Sequence, residues 1–156
     1  MIVSLLVLFF TVAPAFMLAT VNNPTTNYAK YEDYKNEFSV IVEWLTEKYD
    51  GKAKVNLAVE VNRETHTSYL YDFGAKSKVE MPENVLEALS TVDRKAFNSK
   101  SDLTSIKFSG KRICFCTFDG EYALVYSQNG RPWRVLGRNV FSKSLGQGWY
   151  HCTFTR

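Results

Sequence analysis

The sequence predicts an α+β protein: an N-terminal apolar helix serving as anchor or signal, then two helices packed on an antiparallel sheet of about five to six strands. Three observations carry this expectation. The first 29 of the 156 residues hold no charged side chain, and Ile2 to Val21 is almost wholly apolar. Hydrophobic residues then recur at steps of three and four over residues 28–49, and again after Pro82. From Val55, and through most of the last third, the period changes to two. With 46% hydrophobic and 22% charged residues, the chain is neither a disordered tail, a collagen-like repeat nor a disulfide-dense miniprotein.

The leader admits three readings. As a helix, residues 2–21 extend roughly 30 Å, enough to cross a bilayer core. Ser4, Thr11 and Thr20 can bond back to the helix backbone, and membrane helices tolerate a proline such as Pro14. Alternatively, Ile2 to Val12 is the apolar core of a secretory signal, with Ala13-Pro14-Ala15 as its small-x-small cleavage site. No Lys or Arg precedes the apolar run, and apolar residues continue through Phe16, Met17 and Leu18, which favours a retained anchor. A buried core helix would need apolar partners on every side. No cysteine lies nearby to carry a lipid. Lys30 and Lys35, mixed with Glu32, Asp33 and Glu37, taken literally place the C-terminal domain in the cytoplasm. Because such anchors usually export the domain attached to them, the expected location is membrane-anchored and extracytoplasmic, or secreted if cleaved near Ala15.

Residues 22–29 (NNPTTNYA) read as a linker, and 30–156 as one domain. In the first helix, Tyr31, Tyr34, Phe38, Ile41, Val42, Leu45 and Tyr49 form the apolar stripe, and Asp50-Gly51 stops it. Val55, Leu57, Val59 and Val61 alternate with polar residues in a half-buried strand. The turn Asn62-Arg63-Glu64 leads to a second strand over 65–72. Pro82 suits the first turn of the second helix, whose stripe is Val85, Leu86, Leu89, Val92 and Phe97. Runs at 105–109, 112–118 and 121–127 are separated by Gly110-Lys111 and by the hairpin signal Asp119-Gly120. Residues 132–141 show no period, and Trp149, Tyr150 and Phe154 belong to a final strand. The topology expected is helix, hairpin, helix, meander.

Charge is divided along the domain. Residues 22–93 hold 8 Lys+Arg against 13 Asp+Glu (net −5), and residues 94–156 hold 11 against 3 (net +8). An acidic helical half beside a basic sheet half explains this without a ligand. A basic face for an anionic partner is the sharper alternative. Arg131, Arg134 and Arg138, interleaved with Trp133, are its best candidates, and Tyr126 and Trp149 extend the same aromatic surface. Arginine beside tryptophan can grip a nucleic-acid backbone and stack a base, or sit at lipid head groups.

Cys114, Cys116 and Cys152 are the three cysteines. On a strand Cys114 and Cys116 share one face, with Phe115 opposite. They can be buried free thiols. Alternatively, Cys152 pairs with one of them in a disulfide, as an exported domain permits. With His151 the three have atom types that bind zinc, but Cys-x-Cys is not the usual knuckle spacing, and His151 and Cys152 point to opposite faces of a strand. His66 and His151 sit in no nucleophile, zinc or phosphate-loop motif. Pairs such as His66 with Asp72, or His151 with Cys152, require a fold the sequence does not display. Glu43 and Glu47, one helical turn apart, read as solubilising rather than as a general acid/base pair.

Two segments carry a resemblance. The helix Tyr31-Glu-Asp-Tyr-Lys-Asn-Glu-Phe-Ser-Val-Ile-Val comes soon after an apolar amino terminus, and Glu121-Tyr-Ala-Leu-Val-Tyr-Ser-Gln-Asn-Gly precedes Pro132 and Trp149-Tyr-His. This resembles a group of small, membrane-anchored proteins of Gram-positive bacteria. The likeness covers most of the chain through turns and aromatic strand positions. It implies location and layout, and it carries no activity.

The sequence therefore leads to a membrane-tethered or exported, non-enzymatic binding domain. Its expected partners are the membrane, through residues 2–21, and a protein or envelope component. No cofactor, metal or nucleic acid is expected. The alternatives are a small thiol- or histidine-dependent enzyme or redox protein working through Cys114, Cys116, His151 or Cys152, and a binder of anionic lipid or nucleic acid through a basic sheet face.

Overall fold

The structure, a computed structural model, describes residues 29–97, 102–117, 122–131 and 139–155. The leader, the linker to residue 28, the Asp119-Gly120 turn, and Trp133, Arg134 and Arg138 lie outside the described residues. Among the described residues no helix is long and apolar enough to cross a membrane.

A 3₁₀ turn, Tyr31–Tyr34, runs into helix α1, Lys35–Lys48. Phe38, Ile41, Val42 and Leu45 are its buried stripe, and the chain leaves through Gly51 in the left-handed region. Strands β1, Lys54–Asn62, and β2, Thr67–Asp72, form a hairpin. In its turn, the Asn62 side-chain oxygen accepts from the backbone N–H groups of Glu64 and Thr65. A two-residue strand β3, Ser77–Lys78, precedes helix α2, Glu83–Thr91. Pro82 is the residue before that helix rather than within its first turn. A π-helical turn, Val92–Ala96, ends it, and the Lys30 N–H donates to the Ala96 carbonyl at 2.7 Å. Strands β4, Leu103–Ser109, β5, Arg112–Thr117, β6, Tyr122–Ser127, β7, Asn139–Gly146, and β8, Trp149–Thr155, complete the chain.

The strands form one eight-stranded sheet in the order β3-β2-β1-β4-β5-β6-β8-β7, and every pairing is antiparallel. This corrects the expectation of five to six strands. Two strands account for the difference, and each has a physical reason for escaping a periodicity argument. β3 is too short to display a period. β7 (NVFSKSLG) is an edge strand exposed from Phe141 to Ser144, so no buried face imposes alternation on it.

Both helices pack on one face of the sheet. Leu57, Leu70, Ile106, Ile113, Phe115, Leu124 and Trp149 point to that side and form the main core with the helical stripes. Phe38 lies at its centre, with ring centroids 5.1 Å from Phe115, 5.7 Å from Trp149, 6.0 Å from Tyr31 and 6.2 Å from Phe97. A second, smaller cluster occupies the opposite face: Cys114, Cys116, Ala123, Val125 and Cys152, with Val140, Tyr150 and Phe154 packed against it.

Candidate functional site

All three cysteines belong to that second cluster and are buried. The register keeps Cys116 and Cys152 apart. Cys116 lies opposite Ala123, and Ala123 lies opposite Cys152. β6 therefore separates the two cysteine-bearing strands. Two interstrand steps put the Cα atoms of Cys116 and Cys152 roughly 9–10 Å apart, beyond the span of a disulfide. Burial pushes the Cys114 thiol well above its ordinary range, and the neighbouring sulfurs push it further. Burial raises Cys116 also, partly offset by Lys107 and a hydrogen bond with Ser105. Thiols held protonated in this way are poor nucleophiles and poor metal ligands. Among the described residues no group of three or more His, Cys, Asp or Glu side chains is placed to hold a metal ion.

His151 points the other way, toward the helices. Its Nδ1 is hydrogen-bonded to the hydroxyl of the fully buried Tyr122. Burial holds its pKa below the ordinary value, with Lys143 across the β7–β8 pair acting in the same direction and Glu32 opposing. Adjacent residues on a strand face opposite sides, so His151 and Cys152 form no dyad. His66 is exposed in the β1–β2 turn, with a left-handed backbone (φ 52°). Asp72 stands at the far end of β2, about 20 Å along the strand, where its Oδ1 accepts from the N–H groups of Gly74 and Ala75.

The aromatic–basic surface expected around Trp133 resolves differently at each described residue. Trp149 is core, 3% exposed, stacked among Tyr31, Phe38, Phe115 and Tyr126. Arg131 is exposed just beyond the β6 turn. Its N–H donates to Ser127 Oγ, and its carbonyl accepts from Arg112 Nε. Tyr126 is half-buried on the helix side, its ring 5.2 Å from that of Trp149.

Tyr126 has a setting that the sequence conceals. With Gln128 it forms one wall of an open cleft of about 440 Å³, and α1 supplies the other through Val42, Glu43, Thr46, Glu47 and, just past its end, Asp50. Glu43 and Glu47 share the wall because residues four apart stack on one helix face. Among the described residues no Lys or Arg lines the cleft, and the one ion pair, Lys35–Glu32, lies elsewhere. The i, i+4 carboxylates were the legible signal. Their facing aromatic, far along the chain, was not.

A second cleft, of about 530 Å³, is lined by Val59, Val61, Asp93, Arg94, Phe97, Asp102, Leu103 and Thr104. Behind it Asp93 Oδ2 accepts from Ser68 Oγ at 2.6 Å, and Ser90 Oγ accepts from the Ser68 N–H at 2.9 Å. Burial raises the Asp93 pKa most, and the Asp102 charge adds to this. The Ser68 hydrogen bond and Arg94 act the other way. A folded-state pKa above the unfolded 3.8 means the neutral carboxyl stabilises the fold. That contribution is complete below pH 3.8 and is lost as pH rises through the raised value. Asp93→Asn keeps an acceptor for Ser68 and never ionises. Its urea midpoint is expected to exceed that of the wild type at pH 7, the gap closing as pH falls toward 3.8. A gap independent of pH would show that the Asp93 charge is not the cause.

Comparison with protein families, curated proteins and solved structures finds no match for this chain.

Proposed function

We infer that this chain is a membrane-directed binding domain, without catalytic activity of its own, that recognises a basic segment of a partner protein. The observation that carries the reading is the acidic, aromatic-walled cleft between α1 and the end of β6. Three carboxylates, with no Lys or Arg among the described residues that line the cleft, and the half-buried ring of Tyr126 complement a lysine or arginine side chain in charge and in shape. The uncharged leader supports the membrane direction.

The test uses the full-length chain in detergent micelles and a fluorescent decalysine peptide as probe. Binding is expected to weaken steeply with salt. It is expected to fall about tenfold in the double variant Glu43→Gln/Glu47→Gln, at about 1.4 kcal/mol per tenfold, and to be unchanged in Glu60→Gln/Glu64→Gln, on the β1 side of the molecule. Equal loss in both pairs would reduce the effect to net charge and overturn the cleft as the site. A reporter fused to the carboxyl terminus tests the location separately.

A further inference from the structure

The two edges of the sheet are not alike. One ends in β3, two residues long, a form that offers little to pair with. The other ends in β7, eight residues long, with Phe141, Ser142, Lys143 and Ser144 all exposed and Phe141 48% so. β7 carries no proline and one charge. Its pairing with β8 is regular until the irregularity between Ser144 and Gly146. One side of its backbone is bonded to β8, and the described residues place no strand on the other.

We propose that β7 pairs antiparallel with β7 of a second copy of this chain, across a two-fold axis at Ser142. A two-fold axis perpendicular to the sheet keeps each residue on its own face, so residues of like parity lie opposite one another. Phe141 and Lys143 share the helix side, as their partners Thr153 and His151 on β8 require, and Ser142 shares the thiol side with Cys152. Centring the axis on Lys143 would oppose two ammonium groups directly. Centring it on Phe141 uses less of the regular segment. With Ser142 at the axis, each Phe141 lies opposite a Lys143 of the other copy. The lysine stem can cover the exposed ring, the ammonium can reach its face, and no like charges are opposed. The strand is thus complementary to itself in charge and in alternation, which selects a second copy over an unrelated extended segment. A contact of about five residue pairs lies below the area of a standard stable interface, so the dimer is weak, in the micromolar range or above.

The test uses single-cysteine additions to the full-length chain in detergent micelles, oxidised with copper phenanthroline. All variants carry Cys152→Ala, which removes the native thiol that lies opposite position 142 on β8. In that background Ser142→Cys brings two thiols of different copies opposite each other at a Cα separation of about 4.5–5.5 Å, within disulfide range. It is expected to crosslink rapidly, whereas Ser77→Cys, exposed on the opposite edge, is not. Equal crosslinking of the two would mean crowding within the micelle and overturn the proposal. Ser142→Lys, at an exposed position, is expected to weaken the sedimentation-measured dimer roughly fivefold by opposing two lysines. A wild-type chain that stays monomeric throughout leaves the edge to a different protein and overturns self-pairing. None of these readouts depends on the decalysine cleft, so either proposal can fail alone.

Discussion

Replacing Phe38 by alanine is expected to lower the free energy of unfolding by about 3–5 kcal/mol, the largest effect foreseen for any single core substitution. Phe38 is fully buried and edge-on to Phe115, and it also touches Phe97, Tyr31 and Trp149. Those rings come from the 3₁₀ turn, the end of the π turn, β5 and β8. The cavity is therefore bounded by four separate elements, and closing it would require all of them to move together. Partial collapse keeps the cost near the upper part of the range for aromatic truncation. Urea titration of the full-length chain, followed by tryptophan fluorescence, measures it, since Trp149 reports directly on the site. Phe73→Ala is the control, because Phe73 is 60% exposed and should cost within about 0.5 kcal/mol. Comparable losses from the two would mean that Phe38 is not the centre of the core.

Phe38 also marks how far the sequence could be read. Its helix was legible because Phe38, Ile41, Val42 and Leu45 repeat at helical spacing and all four are buried. The β1–β2 hairpin was legible because Val55, Leu57 and Val59 alternate above an Asn62 turn. Strand order was not. Placing β6 between β5 and β8 is a long-range choice, and that choice decides that Cys152 lies too far from Cys116 to bond. Local spacing correctly put Cys114 and Cys116 on one face and His151 opposite Cys152, because period two is a property of the backbone. Trp149 read as a surface candidate since a tryptophan near basic residues has the same composition whether it faces solvent or Phe38. The acidic cleft obeys the same logic. Glu43 and Glu47 were visible as a helical pair, but nothing local places Tyr126 across from them.

Gly148→Ala is the second large effect, expected to cost about 2–4 kcal/mol. Two penalties combine at this position. Its φ of +83° lies in the region that L-residues occupy only at a cost of about 1–2 kcal/mol. A Cβ there would also stand 2.6 Å from the Ser127 carbonyl oxygen, a backbone atom fixed by its strand. Relief requires β6 and β8 to separate where the Ser127 N–H donates to the Gly148 carbonyl at 2.8 Å. Gly130→Ala separates the two contributions. Its φ of +65° carries a similar conformational cost, but a Cβ there would meet no atom within 4 Å. That variant should lose only about 1 kcal/mol. The difference between the two urea midpoints then measures the steric part alone, and equal losses would show that β6 and β8 are not held at this close approach. Because the turn at Gly148 also sets how β7 returns along β8, hydrogen exchange in Gly148→Ala should accelerate in those two strands before it does in β1 or β4.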